Sequence, residues 1–136
     1  MGAWDVGTFD NDTACDWAYE LEAQTDTDFV SATLAGVLDS GDNYLDADAA
    51  CEALAAAEVV ARLRGNWGVR NAYTEPVDNW VESHPGQPSA ELVAQAVAAI
   101  ERVTTAPSEL LELWSESDDF AHWQEAVADL KRRVAT

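Results

Sequence analysis

The sequence predicts one all-α domain over residues 1–136, an irregular bundle of about six or seven helices around a central alanine-rich helix. Three observations predict this fold class. Apolar residues recur at helical spacing in several segments, and a long stretch in mid-chain consists mainly of alanine, leucine and valine. No segment alternates apolar and polar residues as a half-buried strand would. The length of 136 residues suits one domain with a core of its own.

The central helix is predicted for residues 46–64. Asp46 is a suitable N-cap because its carboxylate can accept a hydrogen bond from the first turn. Gly65 can adopt the left-handed conformation that ends a helix. The polar side chains share one narrow sector of the helix, namely Asp48, Glu52, Glu58 and Arg62. A helix that is apolar around most of its circumference is usually enclosed by protein, so we expect this one to form the axis of the bundle.

Two helices are predicted before the central one. An irregular glycine-containing arm comes first, and we expect its Trp4 and Phe9 to insert into the fold. Asp10 or Asn11 then caps a helix with an apolar face at helical spacing. A second amphipathic helix is predicted for residues 28–39.

The remaining helices follow an irregular loop that begins at Gly65. A short helix is predicted for residues 76–83, and Ser89 is expected to cap a longer one that ends near Thr104. Another short helix follows the Pro107-Ser108 pair. Ser117 or Asp118 is expected to cap the last helix, whose apolar stripe comprises Phe120, Trp123, Val127, Leu130 and Val134.

The charge restricts the classes of partner. With 26 acidic residues, 7 basic ones and a net charge of −19, the surface should repel nucleic acids and anionic membranes. It should favour a basic protein partner or cations, although a simple solvating surface explains the same composition. The chain starts without a signal-peptide pattern and has no apolar run long enough to span a bilayer, so a cytoplasmic location is expected. The oligomeric state stays open.

Familiar catalytic and metal-binding motifs are absent from the sequence. There is no nucleophile elbow, phosphate loop, dinucleotide fingerprint or zinc-protease motif, and no cofactor is predicted. The turn containing Asp39, Asp42, Asp46 and Asp48 lacks the order of an EF-hand, which favours capping and solvation over a metal site. Cys15 and Cys51 are expected to be reduced and buried, with a disulfide left open.

Glu58 is the most informative single residue, because it lies in the middle of the helix expected to be most buried. A carboxylate there must be paired, protonated or directed at a cavity. An ion pair with Arg62, one turn later, is the favoured structural explanation. The functional alternative is a candidate pocket formed by Trp4, Asn11, Asp12, Glu58 and Arg62. In it, Glu58 would meet Asn11 or Asp12 of the arm beneath Trp4.

The opening MGAWDVGTFDNDTACDW resembles a bacterial family catalogued as domain of unknown function 4259. The similarity continues through YLDADAACEALAAAEVVARLRG and SELLELWSESDDFAHWQEAVADLKRRV. The positions that match the family pattern are Trp4, Gly7, Phe9, Asn11, Asp12, Glu58, Trp114 and Trp123. Asp5 departs from it, because members commonly have glycine there. The resemblance implies no particular activity, substrate or cofactor.

Two functional hypotheses follow. The first is an acidic protein that binds another macromolecule without catalysis, in an interaction, immunity-like or regulatory role against a basic partner. The alternative is a small-molecule or metal-binding enzyme that uses Glu58 with the Asp10-Asn11-Asp12 cluster.

Overall fold

A computed structural model describes residues 3 and 5–136, and seven helices form within them. Only isolated bridges, Ala3 with Asn11 and Leu45 with Ser108, have β geometry in this part of the chain. The predicted all-α class is therefore confirmed. The helices are α1 Asp12–Leu21, α2 Asp28–Leu38, α3 Ala47–Leu63, α4 Glu75–Ser83, α5 Ala90–Val103, α6 Glu109–Ser115 and α7 Phe120–Ala135.

Helix α3 is the axis of the bundle, as its composition predicts. Each of the other six helices packs against it, and the residues from Ala53 to Leu63 are all buried. Alanine makes this possible because its small side chain lets six neighbours approach one helix closely. The Asp46 carboxylate accepts a hydrogen bond from the Ala49 amide at 2.7 Å, and Gly65 ends the helix with a φ of +86°.

Side-chain caps fix the beginnings of three further helices. The Asn11 side chain accepts a hydrogen bond from the Ala14 amide at 2.8 Å, and Ser89 and Ser108 cap α5 and α6 in the same manner. The predicted cap of α7 is wrong, because that helix begins after Asp119, which makes no capping hydrogen bond. Ser117 instead accepts a hydrogen bond from the Asp119 amide within the preceding turn.

Tryptophans supply much of the core volume that the alanines lack. Four of them are buried around the alanine-rich axis, namely Trp17, Trp80, Trp114 and Trp123. Phe9 is buried as expected, so the arm does insert an aromatic ring into the fold. Trp4 lies outside the described residues. As far as those residues extend, none of the helices combines the length and the hydrophobicity that a membrane span requires.

The arm turns sharply where it crosses the bundle. The Gly7 amide donates a hydrogen bond to the Asp10 carboxylate at 2.9 Å, and the Asp10 amide donates to the Gly7 carbonyl. A Cβ atom at Gly7 would lie only 2.4 Å from the Asp10 carboxylate, so a side chain at this position would displace the carboxylate from the turn. Gly7 and Thr8 consequently sit between two cavities, one on each side of the arm.

Candidate functional site

Four charged side chains form an ion cluster inside the bundle: Glu58, Arg62, Asp78 and Arg133. Arg62 extends from α3 and donates hydrogen bonds to Glu58 at 3.2 Å and to Asp78 of α4 at 2.8 Å. Arg62 donates a third hydrogen bond to the Val69 carbonyl oxygen, also at 2.8 Å. Glu58 is 4% exposed and Arg62 only 2%, so these charges pair almost out of reach of water.

Arg133 completes the ion cluster from α7. Its guanidinium donates two hydrogen bonds to Glu58, at 2.7 and 3.1 Å, and one to Asp129 at 2.8 Å. Burial lowers the pKa of the Arg133 guanidinium, but hydrogen bonds and charge from Glu58 and Asp129 outweigh it and raise that pKa overall. A Cβ atom at Gly68 would lie 2.9 Å from the centre of this guanidinium, so the loop approaches Arg133 closely only because residue 68 is glycine.

Neutral hydrogen-bond donors and an aromatic ring surround the ion cluster. Thr74 donates a hydrogen bond to Asp78 at 2.7 Å, and Thr8 of the arm donates to Glu58 at 3.4 Å. The Trp67 ring lies 5.6 Å from the Arg62 guanidinium. No buried side-chain nitrogen or oxygen of the described residues lacks a hydrogen-bond partner. The cluster thus ties α3, α4, α7, the arm and the loop after Gly65 together.

A small cavity of about 150 Å³ lies beside the ion cluster, against the arm. Glu58, Arg62 and Arg133 line it, together with Thr8 and Asp10. Both oxygens of Glu58 already accept hydrogen bonds from arginines. The Glu58 carboxylate is therefore fully engaged in hydrogen bonds, with Thr8 as its further donor.

A larger cavity of about 310 Å³ lies on the other side of the arm. Its inner wall is apolar and comes from α3, α6 and α7, with Leu54, Leu110, Trp114, Trp123 and Val127 as the main contributors. Those five side chains are each nine-tenths or more buried. The cavity also includes three exposed carboxylates, Asp5 of the arm, Asp12 of α1 and Asp48 of α3. It therefore combines an apolar inner wall with an acidic rim.

Acidic side chains continue from this rim along the outer sides of α1 and α3. We call this surface the acidic face and define it as Asp12, Asp16, Glu20, Asp46, Asp48 and Glu52. Thr13 joins the two helices by donating a hydrogen bond to Asp48 at 3.1 Å. Partial burial, with the negative charges of Glu20, Asp48 and Asp46, raises the pKa of Glu52. Carboxylates here repel one another, in contrast to those of the ion cluster.

The structure distributes the sequence-predicted pocket residues over two cavities. Asn11 and Asp12 line the larger cavity, while Glu58 and Arg62 line the smaller one. Gly7 and Thr8 line both, and Thr8 is the arm residue that reaches Glu58. The ion pair between Glu58 and Arg62 is present, as its helical spacing predicts. The fifth residue of that pocket, Trp4, is outside the described part of the chain.

Sequence reasoning missed Asp78, Thr74 and Arg133. Asp78 did carry a signal, because it lies among the buried residues Val77 and Val81 on a short helix. The spacing of Asp129 and Arg133 indicates a helical ion pair, which the structure contains. Nothing in the sequence, however, relates Arg133 to a glutamate 75 positions earlier.

Both cysteines are free thiols, partly buried instead of fully so. Cys51 lines the larger cavity, and burial together with Asp48, Glu52 and Asp46 raises its pKa to about 12. His84 is half-buried, stacks on Trp80 and places Nδ1 2.8 Å from the Trp80 carbonyl oxygen, whereas His122 is exposed. Among the described residues, no group of three or more His, Cys, Asp or Glu side chains is arranged to hold a metal ion.

Comparison with protein families shows the family of this chain. Residues 2–126 match the family described as Domain of unknown function (DUF4259), and the chain belongs to that family. The match extends from the arm through the first part of α7, so it includes the walls of both cavities except Val127, Asp129 and Arg133. Comparisons with curated proteins and with solved structures found no match.

Proposed function

We propose that the protein is a non-catalytic binding protein whose acidic face receives a basic protein partner. The observation that carries this proposal is the acidic face itself, six carboxylates along α1 and α3, where burial and the neighbouring negative charges together raise the pKa of Glu52. Repulsion of this kind costs folding free energy, and a cationic partner would relieve it on binding.

The distribution of positive charge supports the same proposal. Arg62 and Arg133 are committed to the ion cluster, and Arg102 donates to four backbone carbonyls, those of Gly41, Asn43, Thr105 and Pro107. Only Glu58 and Asp78 are buried, which leaves 24 of the 26 carboxylates at least partly exposed. Most of the negative charge therefore faces outward while much of the positive charge is used internally.

The alternative, an enzyme that uses Glu58 with residues Asp10, Asn11 and Asp12, has less support. Glu58 is held by two arginines, and Asn11 caps α1 with its side-chain oxygen. A general base needs a free lone pair within reach of its substrate. The lone pairs of Glu58 are taken up by Arg62, Arg133 and Thr8, and the Asn11 amide is not a base.

The test is affinity purification from the source cells with two charge variants. One variant neutralises the acidic face by Asp16→Asn, Glu20→Gln and Glu52→Gln. The matched control removes three acids elsewhere, by Glu116→Gln, Asp118→Asn and Glu125→Gln, so both variants have the same net charge. We expect a basic protein to bind the wild type and the control, and to lose binding to the face variant.

Binding to the purified partner should also weaken steeply with salt, since exposed charges are screened beyond about 10 Å at 0.1 M ionic strength. Equal loss in both variants would mean that bulk charge alone attracts the partner. Recovery of no basic protein at low salt would contradict the proposal directly.

A further inference from the structure

The larger cavity lies at the edge of the acidic face and shares Asp12 and Asp48 with it. Resting on the proposed function, we infer that this cavity is the anchoring site for the basic partner: it takes one bulky apolar side chain flanked by lysine or arginine. Its volume of about 310 Å³ lies at the lower end of the range for small-ligand sites. That size suits a side chain better than a folded element.

The arrangement of polar and apolar groups determines the orientation of the occupant. Trp114, Trp123 and Leu54 form the buried interior, while Asp5, Asp12 and Asp48 are exposed at the rim. A lysine that entered tip first would bring its ammonium group to the apolar wall and lose its hydration there. An apolar side chain that enters first buries its surface against the tryptophans, and neighbouring cations then meet the rim carboxylates.

The chemistry also excludes an acidic or neutral occupant. An anionic segment would meet three carboxylates at the rim, and a neutral one would leave their repulsion unchanged. Interfaces commonly combine a buried apolar anchor with a polar rim, which is the division seen between the wall and the mouth of this cavity.

The experiment compares three short peptides with capped ends: Lys-Lys-Leu-Lys-Lys, Lys-Lys-Ala-Lys-Lys and Glu-Glu-Leu-Glu-Glu. Binding is followed by the shifts of the Trp114 and Trp123 indole N–H signals in NMR titrations of the full chain. We expect the leucine peptide to bind about tenfold more tightly than the alanine peptide, because part of the leucine surface is buried. The glutamate peptide should not bind.

Two variants localise the effect. Cys51→Phe fills the cavity without changing the charge and should abolish the preference for leucine. Ala94→Phe, at an exposed position of α5, is the control and should leave the preference intact. Equal binding of the leucine and alanine peptides would overturn this inference and leave the proposed function standing. Failure of both lysine peptides to bind would overturn both. A leucine preference found only after Trp4→Ala would assign the cavity to the chain's own arm and also overturn the inference.

Discussion

The ion cluster and the acidic face contain the same kinds of carboxylate in opposite electrostatic settings. In the ion cluster, Glu58 and Asp78 are buried and each contacts arginine. On the acidic face, Glu52 is half-buried beside other carboxylates, and its pKa is raised. Buried carboxylates are therefore compensated by arginines in one region, while carboxylates in the other have mainly one another as charged neighbours.

The difference teaches that a carboxylate in the middle of a buried helix is a poor guide to function by itself. Glu58 attracts attention in the sequence because of its surroundings, yet its partners satisfy it completely. The less conspicuous Glu52 of the acidic face has other carboxylates as its charged neighbours. Four substitutions test this contrast, and their expected effects decrease in the order given.

Arg62→Met should have the largest effect, because it leaves Asp78 and Glu58 buried with one cation fewer. Loss of one partner from a buried ion pair typically costs about 3–5 kcal/mol in the free energy of unfolding. Urea denaturation measures the change, with Arg132→Met on the exposed side of α7 as control. A loss below about 1 kcal/mol would mean that the ion cluster contributes little to stability.

Glu58→Gln should destabilise the protein less, by about 2–3 kcal/mol. Arg62 keeps its hydrogen bond to Asp78, and Arg133 keeps its hydrogen bond to Asp129. The amide oxygen of glutamine still accepts hydrogen bonds, but the side chain has one acceptor oxygen instead of two and carries no charge. Partner or peptide binding measured on the same variant should stay at the wild-type level. Loss of binding at unchanged stability would instead restore Glu58 as a functional residue.

Gly68→Ala should cost about 1–2 kcal/mol, because the new methyl group displaces the Arg133 guanidinium from Glu58. Gly36→Ala in α2 is the matched control, since a Cβ atom there meets nothing within 4 Å. Alanine is the better helix former, so the control should gain about 0.5–1 kcal/mol. Thermal unfolding of both variants tests whether stability falls in Gly68→Ala and rises in Gly36→Ala. Equal losses would exclude Arg133 as the cause.

Glu52→Gln should have the smallest effect and the opposite sign, an increase in Tm of about 1–2 °C at pH 7. The folded-state pKa of Glu52 is raised, so ionisation of Glu52 destabilises the fold. This penalty is full above the folded-state pKa and absent below the ordinary value of 4.5. The advantage of the variant should therefore disappear as the pH falls through that interval. An advantage that persists at low pH would have another origin.

The sequence predicts the fold well because local signals determine most of it. Asp46, Asn11 and Ser89 cap the helices as their residue types indicate, and the alanine content of α3 predicts its central position. The ion cluster is only half predictable, because the pair of Glu58 and Arg62 is local while Asp78 and Arg133 reach it through tertiary packing. The larger cavity could not be predicted, since its walls come from the arm and four helices.

Enclosure of α3 by all six other helices also has a kinetic consequence. The residues from Ala53 to Ala61 are buried under several neighbouring helices, so we expect their amide protons to stay protected when any single neighbour is lost. Their exchange with deuterium should therefore report the global opening of the molecule, while α6 and the ends of the chain exchange through local fluctuations. The slowest-exchanging amides would then measure the total stability of the fold directly, without denaturant.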